Sequence, residues 1–360
     1  MAENYGLPYT GSKSKIAHWV VDNLPRGRVL IDAFAGGCAI THRALLSKKW
    51  QTIIANDING KYPQLFLDAA QGKYRDELRW ISREDFERLK SQDAFVACCW
   101  SFGNNLRDYI YSQAIEPYKR ALHYAIVFND FEPMQELMPE VAQAVHEAIH
   151  WIRNTHDRRI TAQNVIVKTL KRLTGDNYAH QIIQSNPLYR SIKHSNKDAQ
   201  SLRSLESLER LERMQSLESL ERLERLERLQ ILESLQSMQS LERLERLERL
   251  ERLQSLESLQ SLRVTSLSYN KIDIPDDAVV YCDPPYHASN NSLYEGTANA
   301  FDNCAFYDWC VSVSKTNPIF ISEYSIKDDR FEIVAEKQKT TCLSSVKSFN
   351  VTERLYTVKK

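Results

Sequence analysis

Residues 28–37, "RVLIDAFAGG", limit the fold more than any other stretch. An apolar, strand-like run ends on an acid and then passes into small residues with two glycines. "CAITHRALL" follows with helical spacing, and "TIIANDIN" (52–59) returns to a strand pattern. Strand, glycine turn, helix and strand in that order make a βαβ unit. Such a unit implies a parallel sheet, because a crossover is needed to bring the second strand back in the same direction. The segments "AVVYC", "PIFIS" and "ERLYTV" are again strand-like, and all lie beyond residue 264. The expected architecture is an α/β sheet split between the two ends of the chain. Residues 1–72 and 264–360 form one domain, 73–198 a mostly helical insertion, and 199–263 a low-complexity segment.

Two places in the split domain carry chemistry. Small residues at "DAFAGG" let a ligand approach backbone N–H groups and the N-terminus of the following helix. Asp57 ends the second strand of the same unit, where an acid typically accepts the hydroxyls of a ligand ribose. A tight strand–helix turn would need two glycines with or without a ligand, and the spacing lacks the G-x-G-x-x-G of a dinucleotide site. The second place is "VVYCDPPYH" (279–287). Its buried strand stops on an acid and two prolines, which remove backbone donors and fix two φ angles. Asp283 and the Pro284 carbonyl are acceptors suited to an amino group, and Tyr286 can stack on a planar base. A structural Pro-Pro turn with a solvated Asp is the plainer reading of the same letters.

Four elements in this order resemble the Dam-type, or D12 class, DNA adenine methyltransferases, phage-type members most of all. "LPYTGSKSKI" (7–16) is similar to the N-terminal cofactor motif, "DAFAGGCA" (32–39) to the methyl-donor loop, "NDIN" (56–59) to the acidic motif and "DPPY" (283–286) to the catalytic motif. The resemblance implies a Rossmann-like sheet that binds S-adenosylmethionine through Tyr9, Lys13, Asp32, Phe34, Gly36, Gly37, Asp57 and Asp283. It also implies catalysis by Asp283, Pro284, Pro285 and Tyr286 on the N6 amino group of an adenine flipped out of double-stranded DNA. In a restriction-modification setting this would be site-specific methylation. N4-cytosine methylation fits the same acceptor geometry, and a non-catalytic DNA- or protein-binding module is the alternative outside enzyme chemistry.

Target recognition falls to the insertion. "CCWSFGNNLRDYIYS" (98–112) roughly matches a DNA-engaging loop of the family, which puts Asn104, Asn105 and Arg107 forward for base or phosphate contacts. Helix capping explains an Asn pair equally well. Basic residues at 153, 158, 159, 168, 171 and 172, and again at 190, 193 and 197, fit either a phosphate-tracking surface or a solvated face.

From Leu202 to Leu262 every third residue, twenty-one in all, is Leu, or Met at 214 and 238. Leu, Glu, Arg and Gln favour helix, yet a period of three winds the leucines around a helix instead of along one face. A helix that packs on a partner is the expectation, and a leucine-lined solenoid is the rival. The repeat is expected to lie outside the catalytic core, as an adjustable spacer or an arm for self-association.

The chain carries 47 basic and 47 acidic side chains, so any nucleic-acid surface must come from local clustering. Seven cysteines without a CxxC pair read as reduced thiols, and no metal site is expected. No leader or membrane-spanning run is visible, and a cytoplasmic protein of a bacterial or phage-infected cell is expected.

Overall fold

The computed structural model describes residues 4–74, 77–174, Arg246, Leu253, 259–285, 301–344 and 347–360. The chain forms two compact units, Met1–Ile110 with Arg246–Lys360, and Tyr111–Glu245. The division therefore falls after Ile110 instead of after residue 72.

The first unit is built on a seven-stranded sheet in the order β3-β2-β1-β4-β5-β7-β6. Its strands are β1 (Gly27–Asp32), β2 (Trp50–Asn56), β3 (Leu262–Thr265), β4 (Val279–Cys282), β5 (Ile319–Glu323), β6 (Phe331–Ser344) and β7 (Lys347–Val358). The first five pair in parallel, and β7 runs antiparallel to both β5 and β6. All residues of β4 and β5 are buried, which is why "VVYC" and "IFISE" read as near-continuous apolar runs. Chain order reverses between β1 and β4, and the carboxyl ends of the strands at such a reversal are where open α/β sheets bind ligands.

Helices α1 (Ala17–Asn23), α2 (Ala39–Ser47), α3 (Lys61–Ala70), α4 (Arg83–Leu89) and α5 (Ala94–Trp100) accompany the first strands. In α5, "AFVACCW", Phe95 to Trp100 are all buried, as expected of a helix that is apolar all round. It packs against α3 and α4, which draws 73–110 into the sheet unit. Asp93 begins α5 by accepting the Phe95 and Val96 N–H groups. One face of the sheet is closed by Val29, Ile31, Val280, Cys282, Ile319 and Ile321 together with Phe306 and Cys310.

The second unit contains α6 (Glu116–His123), α7 (Glu132–Leu137), α8 (Pro139–Ile149) and α9 (Thr155–Thr174), and α8 covers most of "MPEVAQAVHEAIHWI". Part of the basic cluster turns inward here. Arg158 is buried and donates to the Ile152 and Ile126 carbonyls and to Asn129 Oδ1, so it holds the unit together instead of tracking phosphates. Beyond Glu245 the chain re-enters the sheet unit, where α10 (Asn303–Val313) covers the sheet behind an Asp302 cap.

The repeat departs from expectation at its end. Leu262, the last triplet leucine, begins β3 and pairs with Ile53, while Arg246 and Leu253 are buried in the sheet unit. Arg246, Leu253 and Leu262 are therefore part of the core-bearing unit, Leu262 through the pairing of β3 with β2. Helix against solenoid, for the remaining triplets, concerns residues outside the described ones, as does self-association through them. No helix among the described residues is long and apolar enough to cross a membrane.

Candidate active site

Asp32 closes β1, with its side chain buried beneath the start of α2. Oδ2 accepts the Thr41 N–H at 3.2 Å and the Thr41 hydroxyl at 2.7 Å, which satisfies one of the donors a helix leaves open at its N-terminus. Oδ1 is buried and has no hydrogen-bond partner among the described residues. Burial raises the Asp32 carboxyl from 3.8 to about 7, opposed by Thr41 and reinforced by Asp283 and Asp57 nearby.

The turn after Asp32 is lined by the N-terminal segment. Gly36 sits at φ +46°, and a Cβ on Gly37 would lie 2.6 Å from the Tyr9 Cβ. Tyr9 covers both glycines and meets the Tyr62 ring edge-on at 5.0 Å. The Gly37 carbonyl also accepts the Leu7 N–H at 2.7 Å. Asp57 reaches the same turn: its carboxylate accepts the Gly36 N–H at 2.9 Å and the Asn59 N–H at 2.8 Å. Burial pushes the Asp57 carboxyl up, and those two N–H groups moderate the rise. The Phe34 ring is stacked on Tyr269 and edge-on to Phe306.

Asp283 leaves β4, the strand beside β1, and Lys13 holds it through an ion pair of 2.7 Å. The Lys13 ammonium also lies 3.8 Å from Glu353, whose side chain is fully buried. Pro284 is buried and Pro285 half-buried, and Tyr286 lies outside the described residues. Sequence reading placed Lys13 among cofactor contacts and missed Glu353 altogether; the structure brings Lys13 to the carboxylate assigned to catalysis and Glu353 to Lys13. Below them the Tyr281 hydroxyl shares a 2.8 Å hydrogen bond with Ser322.

The 101–109 loop belongs to the same unit. Ser101 bridges Tyr109, and the Phe102 N–H meets the Asp108 carbonyl at 2.7 Å. Inside, Gly103, Asn104 and Leu106 all take positive φ. For Leu106 that conformation costs about 1–2 kcal/mol, so the loop must be held from outside. Asn105 is committed to loop shape, since its Oδ1 accepts the Arg107 and Asp108 N–H groups at 2.9 Å each. Asn104 Oδ1 has no partner among the described residues, while its carbonyl accepts both the N–H and the hydroxyl of Thr10. Arg107 is exposed and paired with Asp108 at 3.1 Å, and Phe102 stands half-exposed beside it.

Comparison with known proteins bears on this same stretch. Residues 9–136 match the model of the D12 class N6 adenine-specific DNA methyltransferases. The matched stretch is about a third of the chain. It begins at Tyr9 and contains Lys13, Asp32, the glycine turn, Asp57 and the 101–109 loop; Asp283 lies beyond it. The chain is also 43% identical over 60 residues, 16% of its length, to the Type II methyltransferase M2.HphI of Haemophilus parahaemolyticus. That alignment spans 17% of the relative's own length. The matched stretch contains β1 with Asp32, and β4, which leads to Asp283, pairs with β1 from outside it.

Proposed function

We propose that this protein is a site-specific DNA methyltransferase acting on the N6 amino group of adenine in double-stranded DNA, with S-adenosylmethionine as donor. The observation that carries the reading is the placement of Asp32 and Asp283 at the carboxyl ends of neighbouring strands, with the Lys13 ammonium on Asp283.

The donor set fits the cofactor. Asp32 Oδ1, a buried acceptor with no partner among the described residues, suits the cationic amine of the methionine end. Gly36 and Gly37 leave room for Tyr9 to lie over the turn, and Asp57 holds that turn while offering its remaining acceptor capacity to ribose hydroxyls. When bound, S-adenosylmethionine supplies the activated methyl group. For its part the chain orients the target: the Asp283 carboxylate and Pro284 carbonyl accept from the adenine amino group, and Tyr286 stacks on the flipped base. Unstacking costs a few kcal/mol, which stacking and these hydrogen bonds offset. No covalent enzyme intermediate is needed, so positioning and electrostatics are the main levers.

The test separates the two carboxylates. Asp283→Ala should abolish methylation of DNA while S-adenosylhomocysteine still binds with near-normal affinity. Asp57→Ala should weaken that binding and loosen the glycine turn. Wild-type turnover in the Asp283 variant would overturn the mechanism, and unchanged ligand affinity in the Asp57 variant would overturn the cofactor assignment.

A further inference from the structure

Arg246 lies inside the leucine repeat, yet only 4% of its surface is exposed. Its Nη1 donates to the carbonyl of Ser101 at 2.7 Å and to that of Cys98 at 3.2 Å. Cys98 sits in the last turn of α5, where carbonyls have no partner within the helix. A cation there also meets the negative end of the helix dipole. Lys49 ends α1 in the same manner, donating to the carbonyls of Val21, Asp22 and Leu24.

Ser101 makes Arg246 more than a helix cap. It is the first residue of the 101–109 loop and closes it by bridging Tyr109. On the far side, the Asn104 carbonyl accepts the N–H and hydroxyl of Thr10, in the segment that carries Lys13. Lys90 takes the Arg107 carbonyl at 2.7 Å. The loop that sequence reading assigned to DNA, with three positive-φ residues, is thus pinned at its base by the repeat and at its crown by the N-terminal segment.

We infer that Arg246 is a positioning residue through which the C-terminal triplets of the repeat fix the 101–109 loop, and through Thr10 the Lys13 that holds Asp283. The repeat then has a part in target recognition that its composition does not announce. This deepens the proposed function and rests on it.

The experiment uses the full-length chain with Arg246→Gln and Arg246→Lys. S-adenosylhomocysteine affinity should stay within about twofold of wild type, while the KM for target DNA rises about tenfold in the Gln variant, the size of one lost directing contact. Discrimination against single-mismatch sites should fall with it. Lys keeps the charge without the guanidinium fork and should lie between the two. Independently of activity, amide hydrogen exchange at 101–109 should accelerate in the Gln variant and stay unchanged in β1 and β4. Lower thermal stability with unaltered KM and site preference would overturn the inference, as would loss of cofactor-site affinity in parallel with DNA. If the Gln variant does not fold, exchange and KM in the Lys variant decide. A wild-type chain that binds S-adenosylhomocysteine but methylates no DNA would instead sink the proposed function; the exchange of 101–109 would still judge the anchor, and unchanged exchange would overturn it.

Discussion

Lowering the pH from 7 to 6 should weaken S-adenosylhomocysteine binding, and Asp32 sets by how much. Its carboxyl is pushed from 3.8 to about 7, chiefly by burial and then by the charges of Asp283 and Asp57. A cationic amine against Oδ1 favours the ionised form, so association scales with the ionised fraction. That fraction is about one half at pH 7 and about one tenth at pH 6, which predicts a loss of about fivefold, or roughly 1 kcal/mol. Above pH 7 the gain levels off at about twofold, because the carboxyl is already half ionised at pH 7. Titration calorimetry at pH 6 in two buffers of different ionisation enthalpy should detect the proton released from Asp32. Stability of the free protein moves the opposite way. The folded state keeps a proton on Asp32 between pH 3.8 and about 7 that the unfolded chain gives up, so its contribution falls as pH rises through that window. Asp57, also raised by burial, adds the same sign. Asp32→Asn should bind weakly and without pH dependence from 6 to 7. Flat affinity in the wild type, or the same slope in the Asn variant, would refute the assignment of Oδ1.

Two further substitutions probe the rest of the site. Gly37→Ala brings a methyl group within 2.6 Å of the Tyr9 Cβ, so it should displace Tyr9 from the turn and lower stability by about 1–3 kcal/mol. Urea unfolding and S-adenosylhomocysteine titration would read both effects. Glu353→Gln removes the buried acid beside Lys13 and should lower kcat about tenfold through a shifted Lys13–Asp283 pair, with ligand affinity kept. Single-turnover methylation, compared with binding of the unreactive ligand, would check it; equal loss in both would make Glu353 a general stability residue.

The elements that could be read from sequence are those whose pattern is local. Strands β1, β2, β4 and β5 are apolar runs bounded by turn residues, and α2 follows a glycine turn; periodicity alone finds them. Strand β6, "FEIVAEKQKTTCLS", passed unnoticed because an edge strand carries charge along its length. Glu353 had a signal that went unused: it shares a strand face with Leu355, both fully buried, so an acid stood where the alternation calls for an apolar residue. Arg158 read as phosphate-tracking or solvated charge, since nothing local distinguishes a guanidinium aimed at carbonyls from one aimed at water. Arg246 was illegible for a stricter reason. Arg243, Arg249 and Arg252 sit in the same Leu-Glu-Arg triplets, and only a partner distant in sequence singles one out.

That last ambiguity has a genetic consequence. Tandem triplets of codons gain or lose copies in frame when a replicating strand misaligns. If residues 247–249 were lost, Arg243 would take the place that Arg246 now holds relative to Leu262, and the sequence from there to β3 would be unaltered. Extra Leu-Glu-Arg copies would likewise leave an arginine in that place. Loss of 247–252 would put Ser240 there, and the carbonyls of Cys98 and Ser101 would face a side chain too short to reach them. The tract can therefore lengthen freely and shorten by a single copy before the anchor is gone, so drift in its length is biased in one direction by one buried arginine.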